Sequence, residues 1–253
     1  MRTNFILLLF SMSLLSYAQL KPVDYNDESQ KLSGFSAIPK KSVNNNAGIL
    51  ILPAWMGIDK NSKEVAQKLQ DLGYFAFVAD IYGVDKRPTN AKEAGQNAGY
   101  YKKNISEYHK RIQLALDQLI KQGANPDKIV VIGYCFGGTG AIEAARTNMK
   151  VQGVVSFHGG LGRDETREIV EIKPKVLVLH GADDFYVPKE EVEAFQNEMR
   201  KANADWQMNY YSNAVHAFTH KDAGSDNSKG AAYNEKADKR SWIAFMDFLK
   251  EVL

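Results

Sequence analysis

The chain has 253 residues, 44% of them hydrophobic and 25% charged, with 32 Lys and Arg against 30 Asp and Glu for a formal charge of +2. That near-balance, without a basic tract, a repeat or a low-complexity segment, excludes the electrostatic footprint of a nucleic-acid-binding protein and fits an ordinary soluble globular chain. A single cysteine, Cys135, excludes an intramolecular disulfide framework.

At the N-terminus, Arg2 is followed by an uncharged apolar run of 11 residues, Phe5 to Leu15, and then by Ser16-Tyr17-Ala18. The run is too short for a membrane span of about 20 residues. Small residues at 16 and 18 occupy the −3 and −1 positions of a cut after Ala18. The pattern predicts a signal peptide over 1–18, export to the periplasm or secretion, and no stable membrane anchor after cleavage. The remainder, 19–253, has a length that suits one α/β domain with one sizeable core.

Beyond a polar opening segment, Leu32 to Ile38 reads as an edge strand, followed by a turn rich in Asn and Lys. The run Gly48 to Pro53 is a buried strand. Residues 61–72 place Val65, Ala66, Leu69 and Leu72 at helical spacing, with a cap at Asn61 or Ser62 and a stop at Gly73. Tyr74 to Ala79 is the next strand. The sequence leaves the conformation of the segment 83–104 open, whereas Ile105 to Ile120 has an apolar stripe through Ile112, Ala115, Leu116 and Leu119 that predicts a helix ending near Gly123. Strands are then expected at Lys128 to Ile132, Val151 to Phe157, Val176 to Leu179 and Trp206 to Tyr211, with helices at about 138–147, 188–201 and 235–252. Continuous Val, Ile and Leu runs suit parallel strands buried on both faces. Their alternation with helices predicts a mostly parallel α/β sheet flanked by helices on both faces, with ligands bound beyond the carboxyl ends of the strands.

The sequence Gly133-Tyr134-Cys135-Phe136-Gly137-Gly138 falls directly after one such strand and before a helix. That is the context of a nucleophile elbow, where flanking glycines free a strained turn and the central side chain stands above the sheet edge. A thiol at a helix N-terminus is biased toward thiolate, the form that attacks carbonyls. The usual alternative is a Cys buried as a small hydrophobe. Two further segments follow strands in the order expected of α/β-hydrolases: Asp183-Asp184-Phe185-Tyr186-Val187-Pro188, then His216-Ala217-Phe218.

With these segments, Gly34 to Pro39 and Ala79-Asp80-Ile81-Tyr82-Gly83, the sequence resembles the dienelactone hydrolase family, Cys-dependent members of the α/β-hydrolase fold, over nearly all of 19–253. The resemblance implies a Cys135, Asp184, His216 triad, with the D-x-x-V-P register favouring Asp184 over Asp183. It implies oxyanion donors in the backbone N–H groups of Trp55 and Phe136. The expected reaction is hydrolysis of a small ester or lactone through a thioester acyl-enzyme. Tyr82, His158, Phe218 and His220 are candidate substrate contacts. No His/Cys/carboxylate spacing resembles a zinc site, so neither a metal nor another cofactor is expected.

Two positions depart from the family pattern. Ala54 stands where dienelactone hydrolases carry a Glu, and His220 where they carry an Arg that holds the substrate carboxylate. Lys86, Arg87 and Lys102 are the nearby candidates to replace that cation. Two other readings compete with hydrolysis: a non-catalytic ligand-binding module on the same fold, and a redox-sensing thiol.

Overall fold

The computed structural model describes residues 20–253, so the expected signal peptide over 1–18 lies outside the described residues. The described chain opens with a hairpin, β1 (Lys21–Asp27) and β2 (Gln30–Ala37), in antiparallel pairing. β2 in turn runs antiparallel to β4 (Phe75–Val78). The other strands are β3 (Gly48–Leu52), β5 (Ile129–Tyr134), β6 (Gly153–Phe157), β7 (Lys175–Gly181) and β8 (Trp206–Tyr211), and all remaining pairings are parallel. The result is one eight-stranded sheet in the order β1-β2-β4-β3-β5-β6-β7-β8.

The edge assignment from sequence is corrected here. Leu32–Ile38 corresponds to β2, an interior strand, and β1 is the edge. The sequence Lys-Pro-Val-Asp-Tyr-Asn-Asp hides that strand because only Tyr25 and Asp27 in it are buried.

Alternation along the central strands separates two apolar layers. Leu50 and Leu52 of β3, with Ile129 and Val131 of β5, point into one layer; Ile49, Ile51, Val130 and Ile132 point into the other. Helices α3 (Ile105–Lys121), α4 (Phe136–Arg146) and α5 (Lys189–Lys201) close the first layer with Ile112, Ile142 and Phe195. Helices α1 (Lys60–Asp71) and α6 (Glu235–Val252) close the second with Leu69, Phe245 and Leu249. Burial on both faces is why these strands read as continuous apolar runs.

Two local findings differ from the sequence reading. The cap of α1 is Asp59, whose Oδ1 accepts the Ser62 N–H at 2.8 Å while Ser62 Oγ accepts the Asp59 N–H at 3.1 Å, a reciprocal capping box one turn from the expected start. The segment 83–104 contains a further helix, α2 (Ala91–Lys103), capped by the Asn90 side chain on the Glu93 N–H at 3.0 Å.

Candidate active site

Three loops converge at the carboxyl ends of β5, β7 and β8. Cys135 follows β5 and is the cap residue of α4, with φ 54° and ψ −113°. A non-Gly residue in that conformation is strained and persists only where its surroundings fix it. Here the Cys135 N–H donates to Phe157 O at 3.0 Å and its carbonyl accepts the Thr139 N–H at 3.1 Å. The flanking glycines are obligatory: a Cβ on Gly133 would lie 1.9 Å from Gly137 O, and one on Gly137 would lie 2.0 Å from Leu52 O.

Asp184 lies beyond β7 and is buried, whereas Asp183 is exposed. Asp184 Oδ1 accepts the Tyr186 N–H at 2.9 Å, and Oδ2 lies 2.9 Å from His216 Nδ1. The carboxylate beside His216 is therefore Asp184, the one selected by the sequence register, and not Asp183. His216 sits beyond β8, and its backbone pairs with the segment around Ala231: its N–H donates to Gly230 O at 3.2 Å, and its carbonyl accepts the Ala232 N–H at 3.1 Å. The Tyr186 and His158 rings pack edge-on against the imidazole, each with centroids 5.2 Å away.

With Nδ1 committed to Asp184, the other ring nitrogen is left for Cys135, and the thiol and imidazole are hydrogen-bonded. Burial alone pushes the Cys135 thiol up; the hydrogen bond and charge of His216, the Phe136 N–H and the charge of Lys102 together bring it below its ordinary value. For His216, burial acts downward, but Asp184 and Cys135 raise it to about 10. Both directions favour a thiolate–imidazolium pair.

Of the two expected oxyanion amides, the Phe136 N–H acts directly on the Cys135 thiol. Phe136 begins α4, and its ring is stacked on Tyr108 with centroids 4.6 Å apart. Trp55 lies in the loop after β3, and its carbonyl accepts the Tyr82 hydroxyl at 2.8 Å, which anchors the loop at the peptide that follows Trp55. The Tyr82 ring stacks on Phe136 at 5.7 Å, so one buried side chain braces both loops.

The candidate substrate contacts divide differently from the sequence expectation. Tyr82 is buried with its hydroxyl committed to Trp55. Phe218 has no exposed surface and packs in the α1/α6 layer against Tyr211 and His158. His158 is likewise fully buried, behind His216, with Nε2 2.8 Å from Thr219 Oγ1. Burial and the neighbouring His216 and His220 hold the His158 pKa well below the ordinary value, so it is a neutral wall. His220 is partly open, between Tyr134, His158 and Asp59, whose Oδ2 is 4.0 Å from His220 Nδ1. Away from these residues, His109 of α3 is half-buried and its Nε2 lies 2.8 Å from Glu143 Oε2.

Among the candidate cations, Arg87 is tied to Asp80 at 2.7 Å and to Ser33 O at 2.7 Å. Lys86 is exposed, and Lys102, on α2, is the one of the three whose charge acts on Cys135. Sequence reasoning missed α2 and with it the placement of Lys102, although Asn90 followed three residues later by Glu93 is a helix-start signature. It also missed Tyr186 as a wall of the His216 ring and the segment 230–232 as the support of its backbone.

The chain is similar in sequence and in fold to known proteins. The sequence profile of the dienelactone hydrolase family matches residues 32–253. A putative carboxymethylenebutenolidase of Aquifex aeolicus is 25% identical over 238 residues, covering 91% of this chain and 98% of that protein. The crystal structure of a dienelactone hydrolase-like promiscuous phosphotriesterase from metagenomic libraries superposes with a TM-score of 0.86 at 34% identity, covering 92% of this chain and 98% of the other. The structure of m3DLH gives a TM-score of 0.87 at 30% identity, covering 93% and 98%. The chain belongs to the dienelactone hydrolase family and is a hydrolase of the α/β-hydrolase fold.

Proposed function

We propose that the protein hydrolyses small esters or lactones by covalent catalysis at Cys135, with His216 as base and acid and Asp184 as its orienting partner. The observation that carries this reading is the hydrogen-bonded line Cys135, His216, Asp184 at the ends of three strands. The thiolate adds to the acyl carbon, and the carbonyl electron pair moves onto oxygen, where the N–H groups of Trp55 and Phe136 receive it. Collapse expels the alkoxide, which takes the proton carried by His216 and leaves a thioester. In a lactone that alkoxide remains tethered to the acyl chain. His216 then removes a proton from water as the water attacks the thioester, and the thiolate is released with the acid product.

Ala54 and His220 support a substrate wider than a dienelactone, because neither supplies the charge that the family pattern places there. The test is turnover of activated aryl esters by Cys135→Ala, with Cys135→Ser as the conservative companion. Loss of turnover in the Ala variant and a mass shift of one acyl group on the wild-type protein after rapid acid quench are expected. Full activity of Cys135→Ala would refute covalent catalysis at this residue.

A further inference from the structure

His216 is held at its acid partner, at its backbone and along its ring. Nδ1 lies 2.9 Å from Asp184 Oδ2, the backbone N–H donates to Gly230 O at 3.2 Å, and two aromatic rings pack against the imidazole, each with centroids 5.2 Å away. The inner ring, His158, has no exposed surface and is fixed by Thr219. The outer ring, Tyr186, is 60% exposed.

Tyr186 touches each of these supports. Its backbone N–H donates to Asp184 Oδ1 at 2.9 Å, and its ring stands at 84° to the imidazole plane. Its hydroxyl end lies along Gly230, where a Cβ would come within 3.0 Å of Oη and 3.2 Å of Cζ. A ring left so exposed removes little apolar surface from water, so folding stability does not account for its placement. The Tyr186 hydroxyl has no hydrogen-bond partner among the described residues, and the neighbouring Phe185, 64% exposed, makes no ring contact with His216.

The reaction gives such a ring a task. His216 delivers a proton to the leaving alkoxide and later takes one from water, with Nδ1 on Asp184 throughout. Rotation of the imidazole about its Cβ–Cγ bond would withdraw the other nitrogen from Cys135 and break the bond to Asp184. His158 opposes that rotation from the buried side, and Tyr186 opposes it from the solvent side. We propose that Tyr186 is a positioning residue whose ring holds the His216 imidazole in line between Asp184 and Cys135 during both half-reactions. This rests on the ester-hydrolase reading above, and it assigns the role to the ring and not to the hydroxyl.

The experiment compares the wild type with Tyr186→Ala, Tyr186→Phe and Phe185→Ala on vinyl acetate, vinyl benzoate and phenyl acetate, followed by proton release. Tyr186→Ala leaves the N–H to Asp184 in place, and a substitution at so exposed a side chain should move Tm by no more than about 2 °C. Its kcat/KM should fall about tenfold or more, by the same factor within about threefold on all three esters, because a displaced imidazole slows acylation whatever the acyl and alcohol parts are. Tyr186→Phe should recover most of that loss, and Phe185→Ala should show none of it. Alkylation of Cys135 by iodoacetamide gives a readout that needs no ester: its pH midpoint should rise in Tyr186→Ala, as the thiol loses its imidazole partner, and return in Tyr186→Phe. Unchanged rates or an unchanged midpoint in Tyr186→Ala would overturn the proposal. So would an equal loss in Tyr186→Phe or in Phe185→Ala, or a loss confined to one ester, which would make the ring a substrate contact. If the wild type turned over none of the three esters, the ester-hydrolase reading would fall, and the alkylation midpoints would still decide whether Tyr186 holds His216.

Discussion

Asp184 Oδ2 lies 2.9 Å from His216 Nδ1, while Asp184 Oδ1 is held by the Tyr186 N–H at 2.9 Å. Both oxygens of the acid are thus engaged, one fixing its position and the other fixing the imidazole tautomer. Asp184→Asn keeps the shape but can present an amide N–H to Nδ1, which favours the wrong tautomer. The expected loss in kcat is on the order of 10³ to 10⁴. Asp183→Asn, at the exposed neighbour, should leave kcat within about twofold. Steady-state rates of the two variants on one activated ester check this, and equal losses would contradict the assignment.

The Cys135 and His216 shifts give a pH prediction with a definite sign. The His216 partner holds the thiol below its ordinary value against the upward pull of burial. In His216→Ala that pull is unopposed by the imidazole, so the pH midpoint for alkylation of Cys135 by iodoacetamide should rise above the value of about 8.5 expected for a free thiol. In the wild type the midpoint should lie lower. The cation on His216 should persist until pH approaches about 10. Alkylation rates measured between pH 5 and 10, as an experimental range of roughly five units around the free-thiol value, test both statements; a wild-type midpoint above that of the variant would contradict them.

Much of this site was legible in the sequence, for identifiable reasons. The elbow and Asp184 stand at the ends of the buried strands β5 and β7, and such strands announce themselves as runs of Val, Ile and Leu, whereas His216 follows the edge strand β8, in which Tyr211 alone is buried, and was legible from its place in the order of the three segments. What escaped was structure whose stabilisation is not apolar or not local. β1 buries just Tyr25 and Asp27, and α2 presents only Ala94, Ala98 and Tyr101 to the core. The orientations of His158 and Phe218 depend on which side of the sheet end their loops turn toward, and no periodicity encodes that. Both rings lie in or behind the α1/α6 layer, so they support the site from below and do not line it.

Tyr82 offers a test of how the oxyanion loop is held. Its hydroxyl bonds to Trp55 O at 2.8 Å, and its ring is stacked on Phe136. Tyr82→Phe keeps the ring and removes only the bond, at a cost of about 1 kcal/mol in stability. As a positioning residue it should act on kcat, by about tenfold, with KM little changed, because the Trp55 amide matters most when negative charge develops on the carbonyl oxygen. A fall in Tm with no change in kcat would mean that the hydroxyl is structural only.

Gly137→Ala tests whether the elbow tolerates any side chain. The added Cβ would sit 2.0 Å from Leu52 O, a backbone atom of a central strand that cannot move without breaking the sheet. Such a clash belongs with the most destabilising substitutions, at about 4 kcal/mol or more. The variant should be insoluble or melt far below the wild type. Cys135→Ser, which changes only the nucleophilic atom, should melt close to it, and a normal Tm for Gly137→Ala would contradict the geometry.

Away from the site, Glu143 anchors a buried ion cluster that shapes acid stability. Its carboxylate contacts His109 at 2.8 Å, Arg146 at 2.8 Å and Arg167 at 2.9 Å. Burial acts to raise its pKa, but these three partners bring it from 4.5 down to about 2. Because the folded value lies below the unfolded one, the stabilisation is fully present above the unfolded pKa and is lost as pH falls through the folded value. The window is therefore about pH 5 to 2, and the difference corresponds to roughly 3 kcal/mol. Glu143→Gln removes that titration, so its melting temperature should be lower at neutral pH and should fall less steeply on acidification. It also leaves Arg146 with Glu198 as its remaining carboxylate, at 2.7 Å, which adds to the neutral-pH loss. Thermal melts of both proteins across that range decide the matter: parallel acid limbs would show that Glu143 titrates as an ordinary carboxylate.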